Sequence, residues 1–249
     1  MGRLPNGIDL SNSVENEFYC LKLLKHLGLR VNDARIMTFG QTKALVIERF
    51  DRVWHEGRLV RLPQEDCCQA LSVPPTRKYQ ADGGPGILDI ANLLQGSDSP
   101  ADDHRTLIQA QLVFWLIGAT DGHAKNFSVF LRPRGGYALT PLYDVLSAQP
   151  SLDARYLEGK QMKLAMSVGD NRHHRIDEVQ PRHFFQTAEK AGLPKALVSS
   201  AIENIASRMD KAAAALEAEL PAGFPQELHV SVSAGIQKRM RVLQAYLSP

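Results

Sequence analysis

The most informative part of the chain is residues 120 to 127, Thr120-Asp121-Gly122-His123-Ala124-Lys125-Asn126-Phe127. Four residues separate Asp121 from Asn126, and a second aspartate, Asp144, follows a segment with the pattern of a short β-hairpin. An Asp-x4-Asn pair alone arises by chance about once in a chain of this size and ordinary composition. Its meaning therefore depends on the segments around it.

The segments around this loop form an ordered series. Residues Leu107 to Ile117 are apolar on nearly every face, which predicts a helix buried in a core. After the loop, Phe127 to Leu131 and Tyr137 to Leu139 are predicted strands around Arg134-Gly135-Gly136. Protein kinases carry a catalytic aspartate, then an asparagine and a later aspartate that hold Mg²⁺ on ATP, in this order.

Phosphoryl transfer explains the spacing, because it requires oxygen ligands from two adjoining loops to converge on one metal ion. We therefore predict Asp121 as a catalytic base and Asn126 with Asp144 as metal ligands. Structural alternatives remain open: Asp121 and Asn126 are also typical turn residues, and Asp144 is also a typical helix N-cap.

Two neighbours in the loop have ambiguous roles. No His or Cys spacing typical of zinc accompanies His123, so it is predicted to shape the loop. Lys125 suits neutralisation of charge on a transferred phosphate, and it equally suits a solvated surface position.

A second candidate segment is Glu48-Arg49-Phe50-Asp51-Arg52. It ends a predicted strand, Lys43 to Phe50, whose apolar run on both faces predicts burial. A strand end at a junction of two lobes suits a purine ring, because its backbone offers paired donors and acceptors. The alternative is a cluster of salt bridges.

Composition excludes several classes of protein. The chain has 249 residues, 44% of them hydrophobic, and a formal net charge of +2, so no global field favours nucleic acid or a membrane. Three cysteines without paired spacing fit a reducing compartment. Met1 to Pro5 contain no apolar signal sequence, and Leu112 to Ile117, the longest apolar run, is too short to span a bilayer. We expect a cytoplasmic protein.

Hydrophobic periodicity predicts an α+β fold. A helix is predicted over Asn12 to Gly28, strands over Ala34 to Phe39 and Lys43 to Phe50, and a helix from Pro63 to Leu71. Residues Ser72 to Pro85 are predicted to form a loop, and Ser97 to Asp103 a polar link. Further helices are predicted over Ile87 to Leu94, Pro181 to Ala191, Pro194 to Leu220 and Gln226 to Leu247. The expected domains are 1–62, a partial N-lobe, and 63–249, a mostly helical C-terminal lobe with a catalytic loop at 119–127.

Several longer sequence motifs resemble those of a known protein family. They are Leu10-Ser11-x-Ser13-Val14-x-Asn16-Glu17, Val46-x-Glu48-Arg49-Phe50-Asp51-Arg52, Leu62-Pro63-Gln64-Glu65-Asp66, Lys78-Tyr79-x-x-Asp82-Gly83-Gly84-Pro85-Gly86, Gly118-Ala119-Thr120-Asp121-Gly122-His123-Ala124-Lys125-Asn126-Phe127-Ser128 and Tyr143-Asp144. Together they closely resemble the HipA family of bacterial serine/threonine kinase toxins, over nearly the whole chain.

The resemblance implies a kinase-like two-lobed fold that uses ATP and Mg²⁺. By it, Asp121 is the catalytic base, and Asn126 and Asp144 hold the metal ion. It also implies that an adenine-binding hinge and further residues contact the nucleotide: Glu48, Arg49, Phe50, His123, Ala124, Lys125, Asn126, Tyr143 and Asp144.

The resemblance also implies partners. The family binds a HipB-like helix-turn-helix antitoxin and, with it, operator DNA. Its known protein target is glutamyl-tRNA synthetase, whose phosphorylation leads to growth arrest and persistence. A basic DNA site of the family falls near Ala188 to Gly192, where this chain has Glu189 and Lys190, so direct DNA contact is not expected there.

Three family features are not found in the sequence: an N-terminal subdomain, a glycine-rich loop with an autophosphorylated serine, and a strand lysine for the ATP phosphates. The expectation is weak nucleotide binding and little phosphate transfer by this chain alone. Two alternatives remain: a non-catalytic module that binds the antitoxin, and a small-molecule phosphotransferase, which shares the Asp-x4-Asn plus Asp arrangement.

Overall fold

The computed structural model describes residues 10–247; Met1 to Pro5, where no signal sequence was predicted, lie outside that range. The helices are α1 (Ser13–His26), α2 (Cys67–Ala70), α3 (Ile87–Leu94), α4 (Pro100–Ile117), α5 (Gln149–Asp153), α6 (Pro181–Lys190), α7 (Lys195–Glu219) and α8 (Gln226–Leu247). The strands are β1 (Ala34–Phe39), β2 (Thr42–Ile47), β3 (Arg52–His55), β4 (Arg58–Arg61), β5 (Gln64–Asp66), β6 (Ser128–Leu131), β7 (Tyr137–Leu139), β8 (Lys163–Val168) and β9 (His173–Arg175).

The strands form four small antiparallel sheets. Strands β1 and β2 pair with each other, as do β3 with β4 and β8 with β9. The remaining sheet has three strands in the order β5-β6-β7, with Glu65 opposite Val129 and Val129 opposite Leu139. Helices and small antiparallel sheets together confirm the predicted α+β class.

The core is built around α4. From Leu107 to Ile117 nearly every side chain of this helix is buried, as the sequence predicted. Helices α7 and α8 both pack on α4, and α1 packs on α7 and on the β1–β2 sheet. Gly118 ends α4 with a φ of 71°, in the left-handed region that favours glycine. The chain therefore turns sharply into the loop that carries Asp121.

The predicted polar link from Ser97 to Asp103 is wrong at its C-terminal end, because α4 already begins at Pro100. Pro100 lies in the first turn, where its missing N–H costs nothing, and the acidic side chains there suit the helix dipole. Asp103 is buried and accepts a hydrogen bond from the Leu139 amide at 3.1 Å. This buried, charged side chain therefore makes a tertiary contact with β7 and does not belong to an exposed link.

The predicted helix from Pro63 to Leu71 is also wrong in its first half. Residues Gln64–Asp66 form β5, which pairs with β6, and only Cys67–Ala70 are α-helical. Asp66 caps that short helix by accepting from the Gln69 amide at 3.0 Å. The strand exists because β6, more than sixty residues away, supplies hydrogen bonds that no local pattern can show.

The segment after β2 also differs from expectation. Strand β2 is half-buried rather than fully buried, because β1 is the sole strand that pairs with it within the described chain. Residues 52–61, for which no element was predicted, form the β3–β4 hairpin. Glu56 and Gly57 at its turn have φ values of 47° and 74°, as a type I′ turn requires.

Within residues 10–247, no helix combines the length and hydropathy needed to cross a bilayer.

Candidate active site

The loop after α4 is packed tightly on the helix that precedes it. The Ala119 amide donates to the Phe114 carbonyl at 2.8 Å, so the chain doubles back at once. Gly122 passes so near the buried Phe114 ring that a Cβ at this position would lie 2.5 Å from it. Between these two anchors, the Asp121 side chain remains 52% exposed. The loop thus holds an accessible carboxylate on a rigid support.

Asn126 and Asp144 are brought into direct contact. Asn126 Nδ2 donates to Asp144 Oδ2 at 2.7 Å and to the Asp144 carbonyl at 3.1 Å. Asp144 has a φ of 57°, a left-handed conformation that aspartate tolerates better than most residues. Its predicted alternative role as a helix N-cap does not apply, because α5 begins only at Gln149.

The Asn126 side chain leaves one polar atom unused. Asn126 Oδ1 is buried and has no hydrogen-bond partner, although a buried amide oxygen normally has one. A cation next to the Asp144 carboxylate would satisfy it. The described residues contain no cluster of three or more His, Cys, Asp or Glu side chains that could hold a metal by themselves. An amide and a carboxylate fit Mg²⁺, which takes its remaining ligands from phosphate and water.

A cavity of about 520 Å³ opens beside these two residues. Its wall contains Asp144, Lys125 and the aromatic rings of Phe50 and Tyr143, whose centroids lie 5.8 Å apart. The Tyr143 hydroxyl donates to the Lys125 carbonyl at 2.8 Å and lies 2.5 Å from Ser128 Oγ. Burial raises the Tyr143 pKa, so the hydroxyl stays protonated. The rings offer apolar faces of the kind that stack on a purine.

Lys125 is neither free nor simply solvated. Its Nζ lies 2.6 Å from Asp66 Oδ2, with both side chains half-buried or more in the cavity wall. The pair links the loop at residues 119–127 to the end of β5. A phosphate entering the cavity would compete with Asp66 for the same ammonium group.

The predicted hinge segment forms the salt-bridge cluster that the sequence left open. Asp51 is buried and accepts from Arg49 at 2.7 and 2.8 Å and from Arg52, and these arginines hold its pKa below the ordinary range. Arg49, Phe50 and Asp51 nevertheless line the cavity. Glu48 is exposed and outside the cavity lining, and its amide donates to the Asp33 carbonyl at 2.9 Å. The cluster rigidifies the wall that Phe50 belongs to.

His123 and Ala124 are buried residues of the loop. Ala124 is fully buried, and the His123 ring is 4% exposed with neither nitrogen hydrogen-bonded. Burial lowers the His123 pKa, which keeps the imidazole neutral despite Asp121 Oδ1 at 3.7 Å from Nε2. The ring meets Tyr79 edge-on at a centroid distance of 4.9 Å. A nucleotide contact by either residue stays a prediction.

Two residues that sequence reasoning missed belong to this site. Glu17 lines the cavity, and burial together with the Asp144 charge raises its pKa to about 7. The signal was a glutamate within a helix rich in buried side chains. Tyr79 donates its hydroxyl to Asp121 Oδ1 from the predicted loop over Ser72 to Pro85. No sequence spacing indicates that contact, because 42 residues separate the two.

Comparison with known proteins assigns the chain to a family. Residues 3–213 match the family model described as the HipA-like C-terminal domain. The chain belongs to this family. It is 32% identical over 227 residues to the serine/threonine-protein kinase toxin HipA of Shewanella oneidensis, covering 84% of this chain and 49% of the toxin. It is 34% identical over 206 residues to the putative kinase Y4mE of Sinorhizobium fredii, covering 81% of this chain and 46% of that protein. The chain thus spans about half the length of these curated HipA-like relatives.

Solved structures share the fold of this chain. The fold matches HipA in the Shewanella oneidensis complex of HipA, HipB and operator DNA, with a TM-score of 0.81 and 27% identity, over 96% of this chain and 57% of that one. It also matches the Helicobacter pylori proinflammatory kinase CtkA, with a TM-score of 0.66 over 95% of this chain and 87% of that one. At 15% identity the second match concerns the fold alone. The predicted HipA-type, kinase-like fold is confirmed.

Proposed function

We propose that this chain carries the catalytic base and the metal ligands of a HipA-type protein serine/threonine kinase, which transfers the γ-phosphate of ATP to a protein hydroxyl. The observation that carries the proposal is the buried, unpartnered Asn126 Oδ1 beside the Asp144 carboxylate. An accessible Asp121 on the same rigid loop supplies the base. The cavity lined by Phe50 and Tyr143 supplies room for a nucleotide.

The chain's own residues would act in fixed roles. Asp121 accepts the proton of the acceptor hydroxyl as its oxygen bonds to the γ-phosphorus and the bond to the ADP oxygen breaks. Asn126 and Asp144 would hold a Mg²⁺ ion, and the ion would supply neutralisation of phosphate charge. Lys125 exchanges Asp66 for a phosphate oxygen. Because the carboxylate and the loop are pre-positioned, little reorganisation accompanies the transfer.

The proposal includes the partners that the family resemblance implies. A HipB-like helix-turn-helix antitoxin would hold the protein, and operator DNA would be reached through it. Support comes from the Shewanella oneidensis structure, which contains HipA, HipB and operator DNA together. The acceptor would be a protein such as glutamyl-tRNA synthetase, and the consequence growth arrest and persistence in the cytoplasm.

A transfer assay tests the proposal. The chain would be assayed alone and joined to the N-terminal half of the Shewanella oneidensis relative, with labelled Mg·ATP and a protein acceptor. Asp121→Asn should remove transfer, whereas Asp102→Asn, at an exposed position of α4, should retain it. Asp121→Asn activity within about tenfold of the parent, roughly 1.4 kcal/mol of barrier, would exclude the base role. Nucleotide binding without any transfer in the joined protein would favour the binding-module alternative.

A further inference from the structure

A second cavity of about 520 Å³ lies against the catalytic loop. Its wall contains Thr120 and Asp121, and it shares no lining residue with the cavity beside Asp144. The base therefore borders one cavity and the metal ligand borders the other. In a transfer reaction the two substrates must meet at the base from separate directions, so a second cavity at Asp121 is a place for the acceptor.

The inner wall of this second cavity is mostly apolar. Leu164 and Ala165 of β8 contribute to it, with Leu157 and Ala148 beside them. Ala81, an exposed residue of the loop between α2 and α3, forms part of its mouth. Such a wall favours an aliphatic side chain over a charged one, because transferring apolar surface out of water stabilises the complex.

Tyr79 shows what kind of group can reach the base from this side. Its side chain lines the same cavity, and its hydroxyl donates a hydrogen bond to Asp121 Oδ1. The ring rests edge-on against His123, with Lys78 Nζ 5.0 Å from its centroid. A serine or threonine acceptor must present the same donor to the same carboxylate before it can react. The phenol hydroxyl thus occupies the acceptor hydroxyl's position.

The backbone next to Tyr79 is anchored to the cavity wall. The Ser167 amide of β8 donates to Gln80 Oε1 at 2.7 Å, which ties the loop to the strand. The Gln80 side chain also packs against Gly86, where a Cβ would lie 2.2 Å from it. With the loop held, the Tyr79 side chain can leave Asp121 by rotating about its own χ angles.

We propose that the second cavity is the acceptor site, and that it takes a serine or threonine of a protein segment whose neighbouring residue is aliphatic. The hydroxyl replaces the Tyr79 phenol at Asp121, and the aliphatic side chain lies against Leu164 and Ala165 of β8. This inference rests on the proposed kinase function. It adds two features to that function: a preference for an aliphatic residue beside the acceptor, and the competition of Tyr79 with the acceptor hydroxyl for Asp121.

Equilibrium binding of short fluorescent peptides to the purified chain tests the cavity without requiring transfer. A peptide with leucine beside serine should bind about tenfold more tightly than its matched glycine peptide, the value expected for burying most of one leucine side chain. Ala81→Phe should fill the mouth and erase that preference. The matched control is Ala222→Phe, at an exposed position between α7 and α8 that should keep it. Equal affinities for the two peptides, or an unchanged preference in Ala81→Phe, would overturn the proposal.

Tyr79→Phe tests the competition directly. Removing the phenol hydroxyl frees Asp121, so the leucine–serine peptide should bind several-fold more tightly to Tyr79→Phe than to the parent chain. A leucine–alanine peptide, which has no hydroxyl, should gain nothing. Weaker binding of the serine peptide to Tyr79→Phe would show that the hydroxyl helps to hold the site and would overturn the competition.

Mg·ATP binding, measured in the protein joined to the N-terminal half of the Shewanella oneidensis relative, separates the two proposals. If leucine-selective peptide binding persists while Mg·ATP binding by the joined protein is insensitive to Asp144, the kinase function fails, and the cavity stands as a peptide-binding site but not as an acceptor site. If Mg·ATP binds through Asp144 and the peptides show no selectivity, the acceptor site fails and the kinase function stands.

Discussion

Asn126 and Asp144, eighteen positions apart, are joined by a hydrogen bond of 2.7 Å from the amide nitrogen of one to the carboxylate of the other. This bond uses the Asn126 nitrogen and leaves the amide oxygen buried without a partner. The Asn126 amide nitrogen is therefore already used within the pair, whereas the Asn126 amide oxygen and the Asp144 carboxylate remain available to a ligand. A hard cation is the species that this combination binds best.

The first prediction concerns this pair. Asp144→Asn should weaken Mg·ATP binding at least about tenfold and change metal-free ATP binding by less than about threefold, because it removes charge from a proposed metal ligand. Asparagine is the right replacement, since it tolerates the φ of 57° and can still accept from Asn126. Calorimetric titration with and without Mg²⁺ measures both affinities. Asp210→Asn, on the exposed side of α7, is the control, and equal losses in both titrations would contradict metal ligation.

The second prediction concerns pH. Burial and the Asp144 charge raise the Glu17 pKa from 4.5 to about 7 in the folded protein. The folded state then binds more protons than the unfolded state between these values, so Glu17 costs stability as pH rises from about 4.5 to 7. Glu17→Gln removes that cost, which reaches up to about 3 kcal/mol at pH 8.

Urea unfolding of the parent and of Glu17→Gln at pH 4 and pH 8 measures this effect. The parent and the variant should have nearly equal unfolding free energies at pH 4, and the variant should be the more stable of the two proteins at pH 8. Glu203→Gln, at an exposed position of α7, should show no such change with pH. A Glu17→Gln protein less stable than the parent at pH 8 would mean that the ionised carboxylate is stabilised in the fold.

The third prediction concerns Arg239 of α8. This buried side chain donates from Nε to the Leu116 carbonyl at 2.7 Å and from Nη1 to Gln149 Oε1 at 3.0 Å. It thus places a cation at the C-terminal end of α4, just before the loop that carries Asp121, where the helix dipole favours one. Burial lowers its pKa to about 10, which still leaves it charged at neutral pH.

Arg239→Ala should lower the unfolding free energy by about 3 kcal/mol, because it leaves two buried acceptors unpaired and a cavity behind them. Arg241→Ala, two residues along the same helix and exposed, should cost less than about 0.5 kcal/mol. Denaturant unfolding compares the two. Similar losses in both variants would show that the buried hydrogen bonds of Arg239 contribute no more than an exposed side chain does.

The fourth prediction concerns Gly122. The Cβ of Gly122→Ala would lie 2.5 Å from the buried Phe114 ring, so the loop or the ring must move, at a cost of about 1–3 kcal/mol. Gly159→Ala, where a Cβ meets nothing within 4 Å, is the matched control and should stay within about 0.5 kcal/mol of the parent. Thermal unfolding measures both. A Gly122→Ala protein as stable as Gly159→Ala would show that the loop is not packed on α4 as described.

Elements whose signal is local could be predicted from the sequence alone. An apolar run specified the part of α4 from Leu107 to Ile117, and segments of strand propensity around a glycine-containing turn specified β6 and β7, because each signal lies within the element that it forms. The order of helix, loop, hairpin and aspartate then indicated the residues of the candidate site before any contact was known.

Only the tertiary structure decided which of those residues meet, and with what. The pairing of β5 with β6, the donation from Tyr79 to Asp121 and the position of Glu17 beside Asp144 all join segments distant in sequence. Such contacts depend on the packing of whole elements, and their energies on desolvation and neighbouring charge. A local pattern carries neither quantity, so the partners of Asp121 and the second cavity at its side became visible only in the folded chain.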